Sequence, residues 1–262
     1  MNFAIPIIVS SCDKCSDLWP SFFWLLKKNW TGFERKVYLC TDSKTFGYEG
    51  MDIECPLRMS KGSTWSENLM SLLSGISEKF VLFMLDDFWL KTKVKVELLN
   101  RCEEIIKNDP EVGFICLIHQ LEPSVENSIS KKYPDLIEYG RKTPYRVTTQ
   151  AGLWRRDYLL SLLRKHESAW WFEMFGSRRS RRSKFRSYVV KNSIFNYDEG
   201  GVLFRGSYVK DYVDYFRDDT NVIISKMRRV EEKTLLLAER KDLSLWKKLS
   251  PSFIYNYVRS HF

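Results

Sequence analysis

The stretch Phe80-Val81-Leu82-Phe83-Met84-Leu85-Asp86-Asp87 is an unbroken apolar run closed abruptly by two acids. A run of this length bounded by polar residues reads as a strand buried on both faces. Just upstream, Thr64-Trp65-Ser66-Glu67 has the pattern of a capping box. It opens a helix with Trp65, Leu69, Leu72, Leu73 and Ile76 on one face. Further back, Phe3 to Val9 is a second continuous apolar strand. Ser16 to Trp30 then reads as a helix, with Leu18, Trp19, Phe22, Phe23, Leu26 and Trp30 at helical spacing. Pro20 falls in its first turn, where it is tolerated. Lys36 to Thr41 and Met51 to Cys55 are short strands. Downstream, Leu98, Leu99, Cys102, Ile105 and Ile106 form a helical stripe that Asn108-Asp109-Pro110 stops, and Val112 to Ile118 is a fifth strand. Strands alternating with helices predict an α/β fold with a mostly parallel central sheet flanked by helices. Ligands of such sheets bind beyond the carboxyl ends of the strands.

After His119 the alternation breaks. Leu121 to Pro144 reads as a polar excursion, followed by a short strand near Tyr145 to Thr148, a helix over Arg155 to Lys165 and a tryptophan-rich turn at Ala169 to Phe175. Tyr188 to Phe195 and Val202 to Phe204 read as extended. From about Asn221 the pattern is basic and helical, which divides the chain into a domain over 1–220 and a helical extension over 221–262, packed on the domain or facing a membrane.

The 262 residues are 44% hydrophobic, with 9 Trp, 13 Tyr and 17 Phe, enough apolar area for one large core. The net charge of +9 favours anionic partners without choosing among them. Neither a signal sequence nor an apolar run long enough to span a bilayer is present, so the expectation is a cytoplasmic protein, peripheral at most to the inner face of a membrane. The six cysteines fit reduced thiols. Cys12-Asp-Lys-Cys15 has the spacing of a redox pair, but no second pair completes a zinc site. A serine also stands where a thioredoxin-like motif carries an aromatic, and both points weigh against redox or zinc chemistry.

Four clusters could carry chemistry. Asp86-Asp87 offers hard oxygen ligands at a strand mouth, suited to a divalent cation (Mn or Mg) bridging phosphates, with Asp87 as the metal ligand; a turn cap beside a solvated acid is the plainer alternative. Ser10-Ser11-Cys12-Asp13 could hold a ribose or base, or simply turn the chain. Gln150-Ala-Gly-Leu-Trp154 with Trp171-Phe172-Glu173 combines aromatic faces, an amide and an acid. That suits a saccharide, with Glu173 as general base; the alternative is a core tryptophan cluster with Glu173 paired to an arginine. The run from Arg178 to Arg186 could meet phosphates or form a solvated loop. The tail, with Leu245, Trp246, Leu249, Phe253, Ile254 and Tyr257 among Lys247, Lys248 and Arg259, could lie at a membrane interface or pack on the domain.

In order and spacing, Ile7-Ile8-Val9-Ser10-Ser11-Cys12-Asp13, Thr64-Trp65-Ser66-Glu67, Met84-Leu85-Asp86-Asp87-Phe88, Gln150 to Trp154, Trp171-Phe172-Glu173 and Gly176-Ser177 resemble bacterial glycosyltransferases of the GT-A fold that build surface polysaccharides such as capsule or O-antigen. The resemblance covers about residues 3 to 180. It implies a nucleotide-sugar donor held by Ser10, Ser11, Asp13, Ser66, Asp86 and Asp87, and a saccharide or lipid-linked acceptor held by Gln150, Trp154 and Trp171. For an inverting transfer, it implies a base at Glu173. Neither Phe88 nor Trp89 supplies the further acid of a D-x-D motif. A cation and the pair Arg178 and Arg179 therefore both stand as counter-charges for the diphosphate. A sugar nucleotidyltransferase would carry a glycine-rich loop after the first strand, and Ser10 to Ser16 has no glycine. A non-enzymatic module binding membrane or nucleic acid would explain the charge but not acids aligned at strand ends; no nucleic-acid partner is expected.

Overall fold

The computed structural model describes residues 4–56, 62–120, 127–198 and 200–232. In chain order the elements are β1 (Ile7–Ser10), a 3-10 turn (Asp13–Cys15), α1 (Trp19–Asn29), β2 (Val37–Cys40), β3 (Ile53–Glu54), α2 (Trp65–Gly75), β4 (Phe80–Leu85), α3 (Val96–Asn108) and β5 (Val112–Cys116). These follow the expected alternation, trimmed at their ends. There follow β6 (Ser128–Ile129), β7 (Leu136–Glu138), β8 (Gly152–Arg155), α4 (Arg156–Leu162), α5 (Ala169–Ser180), β9 (Arg186–Val190), β10 (Leu203–Phe204), β11 (Ser207–Val209), α6 (Lys210–Tyr215) and β12 (Val230–Glu231).

The main sheet has the order β3-β2-β1-β4-β8-β5-β9-β7-β6. Strands β3, β2, β1 and β4 are mutually parallel, and β9 is parallel to β5. Strand β8 lies antiparallel between β4 and β5. This is the α/β architecture expected, a large sheet flanked by helices. The central strands β1 and β5 are buried end to end and β4 is buried between its end residues, because each is paired on both sides and covered by packed side chains, Trp19, Phe22, Phe23, Leu69 and Leu73 among them. Thr64 and Glu67 form the capping box at the start of α2, Glu67 Oε2 accepting from the Thr64 N–H at 2.9 Å.

Three expectations are corrected. The strand after the excursion is Gly152–Arg155, not Tyr145 to Thr148, where the chain turns through a positive φ of 51° at Tyr145. The tryptophan-rich segment is not a turn but the first half of α5, capped by Ser168 Oγ, which accepts from the Trp171 N–H at 3.2 Å. The segment from Asn221 is not helical over its described part: it returns to the domain, where β12 pairs with β11 and Arg228 grips Asp17 through two bonds of 2.7 Å. The apolar and basic residues proposed for membrane contact, Leu245 to Arg259, lie outside the described residues. No helix among the described residues is long and apolar enough to cross a membrane.

Candidate active site

The pairing of β1 with β4 sets Ser10 beside Leu85, so the residues after each strand meet at one edge. There Ser11 Oγ accepts from Trp19 Nε1 at 2.7 Å and donates to the Asp86 carboxylate. Asp86 is only 6% exposed. Burial, then the neighbouring Asp87 charge, pushes its carboxyl well above the ordinary range. Burial pushes Asp87 up to about 7. Its Oδ1 is shut from solvent with no hydrogen-bond partner among the described residues.

The loop after Tyr197 closes over Asp87. Val202 N–H donates to the Asp87 carbonyl at 2.8 Å, and Gly201 takes a φ of +71° so that its bare Cα packs on the Asp87 carboxylate. A Cβ at Gly201 would overlap that carboxylate. Gly201→Ala is therefore expected to lose about 1–2 kcal/mol of stability in urea unfolding, from the left-handed φ and the displaced acid together. A variant as stable as the parent would contradict this packing.

Glu173 reaches the same edge from α5. Its Oε1 accepts from Thr148 Oγ1 at 2.7 Å, Thr149 N–H at 2.7 Å and Thr149 Oγ1 at 2.8 Å. In the antiparallel β4–β8 ladder the last partners are Phe83 and Gly152. Because β8 runs antiparallel to β4, the residues just before it, Thr148 to Gln150, lie towards the carboxyl end of β4, the end that carries Asp86 and Asp87. The threonines that hold Glu173 thus lie at the same end of the sheet as the acidic pair. Two bridges brace this edge. Trp65 Nε1 donates to Ser10 Oγ at 2.9 Å while its ring packs 5.6 Å from that of Phe172, next to Glu173. Tyr197 Oη donates to Gln150 Oε1 at 3.0 Å, and its ring stacks 4.2 Å from Phe88, next to Asp87.

No protein-family model and no curated protein matches the sequence. In three dimensions the chain is similar to S. aureus TarS 1-349 in complex with UDP-GlcNAc, with a TM-score of 0.50 at 14% identity over 99% of this chain and 79% of that one. A second structure of S. aureus TarS 1-349 gives a TM-score of 0.49 at 12% identity over 98% and 79% of the two chains. The fold is that of TarS 1-349.

Within that fold the sequence-derived residues divide. Ser10, Ser11, Asp86, Asp87, Gln150 and Glu173 gather at the carboxyl edge of β4. Asp13 lies close by, but its carboxylate is occupied, accepting from the backbone N–H groups of Asp42 at 3.0 Å, Ser43 at 3.1 Å and Lys44 at 3.1 Å, which hold its pKa down against partial burial. Ser66 is fully buried, its Oγ accepting from Glu167 N–H at 3.0 Å. Trp154 is 1% exposed and packs on Phe114, Tyr158 and Phe172; it is a core residue and cannot touch an acceptor. Trp171 stacks on Phe175 with ring centroids 5.0 Å apart, and Arg178 lies over the outer aromatic cluster at 5.9 Å from Phe175. Arg179 is not available to phosphate: its guanidinium is bidentate on buried Glu167 at 2.9 and 2.7 Å. Sequence reasoning gave no site role to Trp65, which it placed only in a helix-opening motif, and passed over Thr148, Thr149, Tyr197 and Gly201. Only the Gly200-Gly201 pair carried a signal, that of a turn.

The donor set also bears on a cation. The described residues contain no group of three or more acids, histidines or cysteines arranged for a metal. One unpartnered buried carboxylate oxygen on Asp87 nevertheless fits Mg²⁺ or Mn²⁺, which takes one or two protein carboxylates and completes its shell with substrate phosphates and water. Asp87 would hold such an ion, which would neutralise charge on a diphosphate.

Proposed function

We propose that the chain transfers a sugar from a nucleotide-sugar donor to a saccharide or lipid-linked saccharide acceptor in cell-surface polysaccharide synthesis. The observation that carries this reading is that Ser10, Ser11, the Asp86-Asp87 pair and the threonines holding Glu173 lie at one end of the sheet in a fold shared with TarS 1-349. The UDP-GlcNAc bound by TarS 1-349 supports a donor of this class. In this reading Ser10 and Ser11 line the donor site, Asp86 fixes Ser11, and Asp87 faces the diphosphate. Glu173, with Oε1 anchored by the threonines, takes the proton of the acceptor hydroxyl on Oε2 as that oxygen attacks the anomeric carbon. The transfer is then a direct, inverting displacement. Trp171 and Gln150 flank the acceptor.

Calorimetry with UDP-, GDP- and CMP-linked sugars tests the function. Micromolar binding of one of them is expected. Salt-sensitive binding to RNA or anionic vesicles with no nucleotide-sugar affinity would replace it with a non-enzymatic binding module.

A further inference from the structure

Cys12 and Cys15 span the turn from β1 towards α1, and the proposed transfer makes no use of them. Cys12 has an extended backbone, and the 3-10 turn brings Cys15 back beside it, the Cys15 N–H donating to the Cys12 carbonyl at 2.9 Å. The two sulfurs are 3.7 Å apart and both side chains are partly exposed. A disulfide bond is about 2.0 Å long, so closure asks for a contraction of about 1.7 Å within an existing turn. Cys40 and Cys102 differ: both are buried, and burial pushes their thiols up to about 12, where they are inert. The hydrogen bond between the two sulfurs lowers the Cys12 thiol to about 6 and raises that of Cys15, which favours Cys12 as the attacking member of the pair and Cys15 as the resolving one. The serine before Cys12, which in sequence weighs against redox chemistry, does not keep the thiols apart.

We propose that Cys12 and Cys15 are a redox-active dithiol that closes reversibly to a disulfide and thereby weakens donor binding. The disulfide stands independently of the proposed transferase function; its effect on the donor rests on that reading. The oxidant is a low-molecular-weight disulfide such as oxidised glutathione. The Cys12 thiolate attacks one of its sulfurs and expels a thiolate, leaving a mixed disulfide. Cys15 then loses its proton to solvent and attacks Cys12 Sγ, expelling the second thiolate. The protein gives up two electrons and two protons, and the oxidant becomes two thiols.

The link to the donor is positional. Ser11, just before Cys12, holds Asp86, and Asp13, just after it, holds the backbone of residues 42–44. Both networks are satisfied with the sulfurs apart. Contraction at the residue between them displaces contacts set for the dithiol form, and displacements of this scale are costly in a preorganised site.

The test equilibrates the full chain with glutathione buffers of rising oxidised fraction, traps free thiols by alkylation and reads intact mass and peptides. The expected result is loss of two hydrogens, mapped to a Cys12–Cys15 bridge and reversed by a dithiol reductant. Cys15→Ser should stop at a glutathione adduct on Cys12, and Cys12→Ser should form no bridge. A native chain that stays reduced where the urea-unfolded chain oxidises would overturn the dithiol. Calorimetry with the best-bound nucleotide sugar should show the oxidised form binding at least about 3-fold more weakly, given the sensitivity of such contacts to position. Equal affinity in both forms would overturn the coupling. If the reduced protein bound no nucleotide sugar, the transferase reading and the coupling would fall together, while the mass readout would still decide the disulfide.

Discussion

Glu173→Gln is expected to fold, to bind donor as the parent does and to lose at least about 10²-fold in turnover, the lower bound for a positioned general base. The variant is informative because of how Glu173 is held. Among the described residues its three hydrogen bonds all fall on Oε1, from Thr148 Oγ1, Thr149 N–H and Thr149 Oγ1. A glutamine carbonyl can accept the same three. What changes is the second position, where an amide nitrogen replaces a carboxylate oxygen and can no longer take a proton. The loss should therefore appear in kcat with donor affinity unchanged. Near-parental turnover would remove Glu173 from the role of base. A collapse of Tm in this variant would instead mark Glu173 as a structural anchor for the segment entering β8.

Asp87→Asn is expected to stabilise the ligand-free protein at pH 8 while weakening donor binding at least about 10-fold, through loss of the charge that faces a cation–diphosphate pair. Burial raises Asp87 from an ordinary value of 3.8 to about 7. Below about pH 4 the carboxyl is protonated in both folded and unfolded chains. Between there and pH 7 the folded state keeps a proton that the unfolded state releases, so its contribution to stability falls as pH rises. Above pH 7 the folded protein carries a desolvated charge with one oxygen unpartnered among the described residues, a penalty on the order of 4 kcal/mol for a displacement of this size. Asparagine avoids that penalty. The variant should therefore melt above the parent at pH 8, with the difference shrinking towards pH 4. Mg²⁺ or Mn²⁺ should raise the parent's Tm at pH 8 and leave that of the variant unchanged. A parent whose stability does not vary between pH 5 and 8 relative to Asp87→Asn would contradict the burial of this acid.

The frame of the fold was legible in sequence where one local signal sufficed. Phe80 to Leu85 has no polar residue to place on a solvent face, and Thr64 and Glu67 are each other's capping partners three positions apart. Helix α5 was not legible, because Trp170, Trp171, Phe172 and Phe175 spread around the helix and leave no stripe with a 3.6-residue period. Strand β8 was obscured because Gly152-Leu-Trp-Arg155 is short and runs directly into α4. Its place between β4 and β5 is a long-range fact, yet it is what brings the Glu173 threonines to the same end of the sheet as the acidic pair. Nor does a run of arginines say which member is already spoken for. Arg179 is tied to Glu167, and that pairing depends on how α5 leaves its N-cap. The acids themselves were found because they close an apolar strand at the end where ligands of such sheets bind. Trp154 was misjudged because a tryptophan looks the same in sequence whether it faces a sugar or a core.

The central claim is that Asp87 and Glu173 serve one cleft at the carboxyl edge of β4. A crystal structure of the Glu173→Gln variant with its nucleotide sugar and Mn²⁺ tests this most directly. The diphosphate is expected against Asp87, with the sugar's anomeric carbon turned towards residue 173. Nucleotide bound elsewhere on the molecule, or at Asp87 with its sugar directed away from α5, would contradict it.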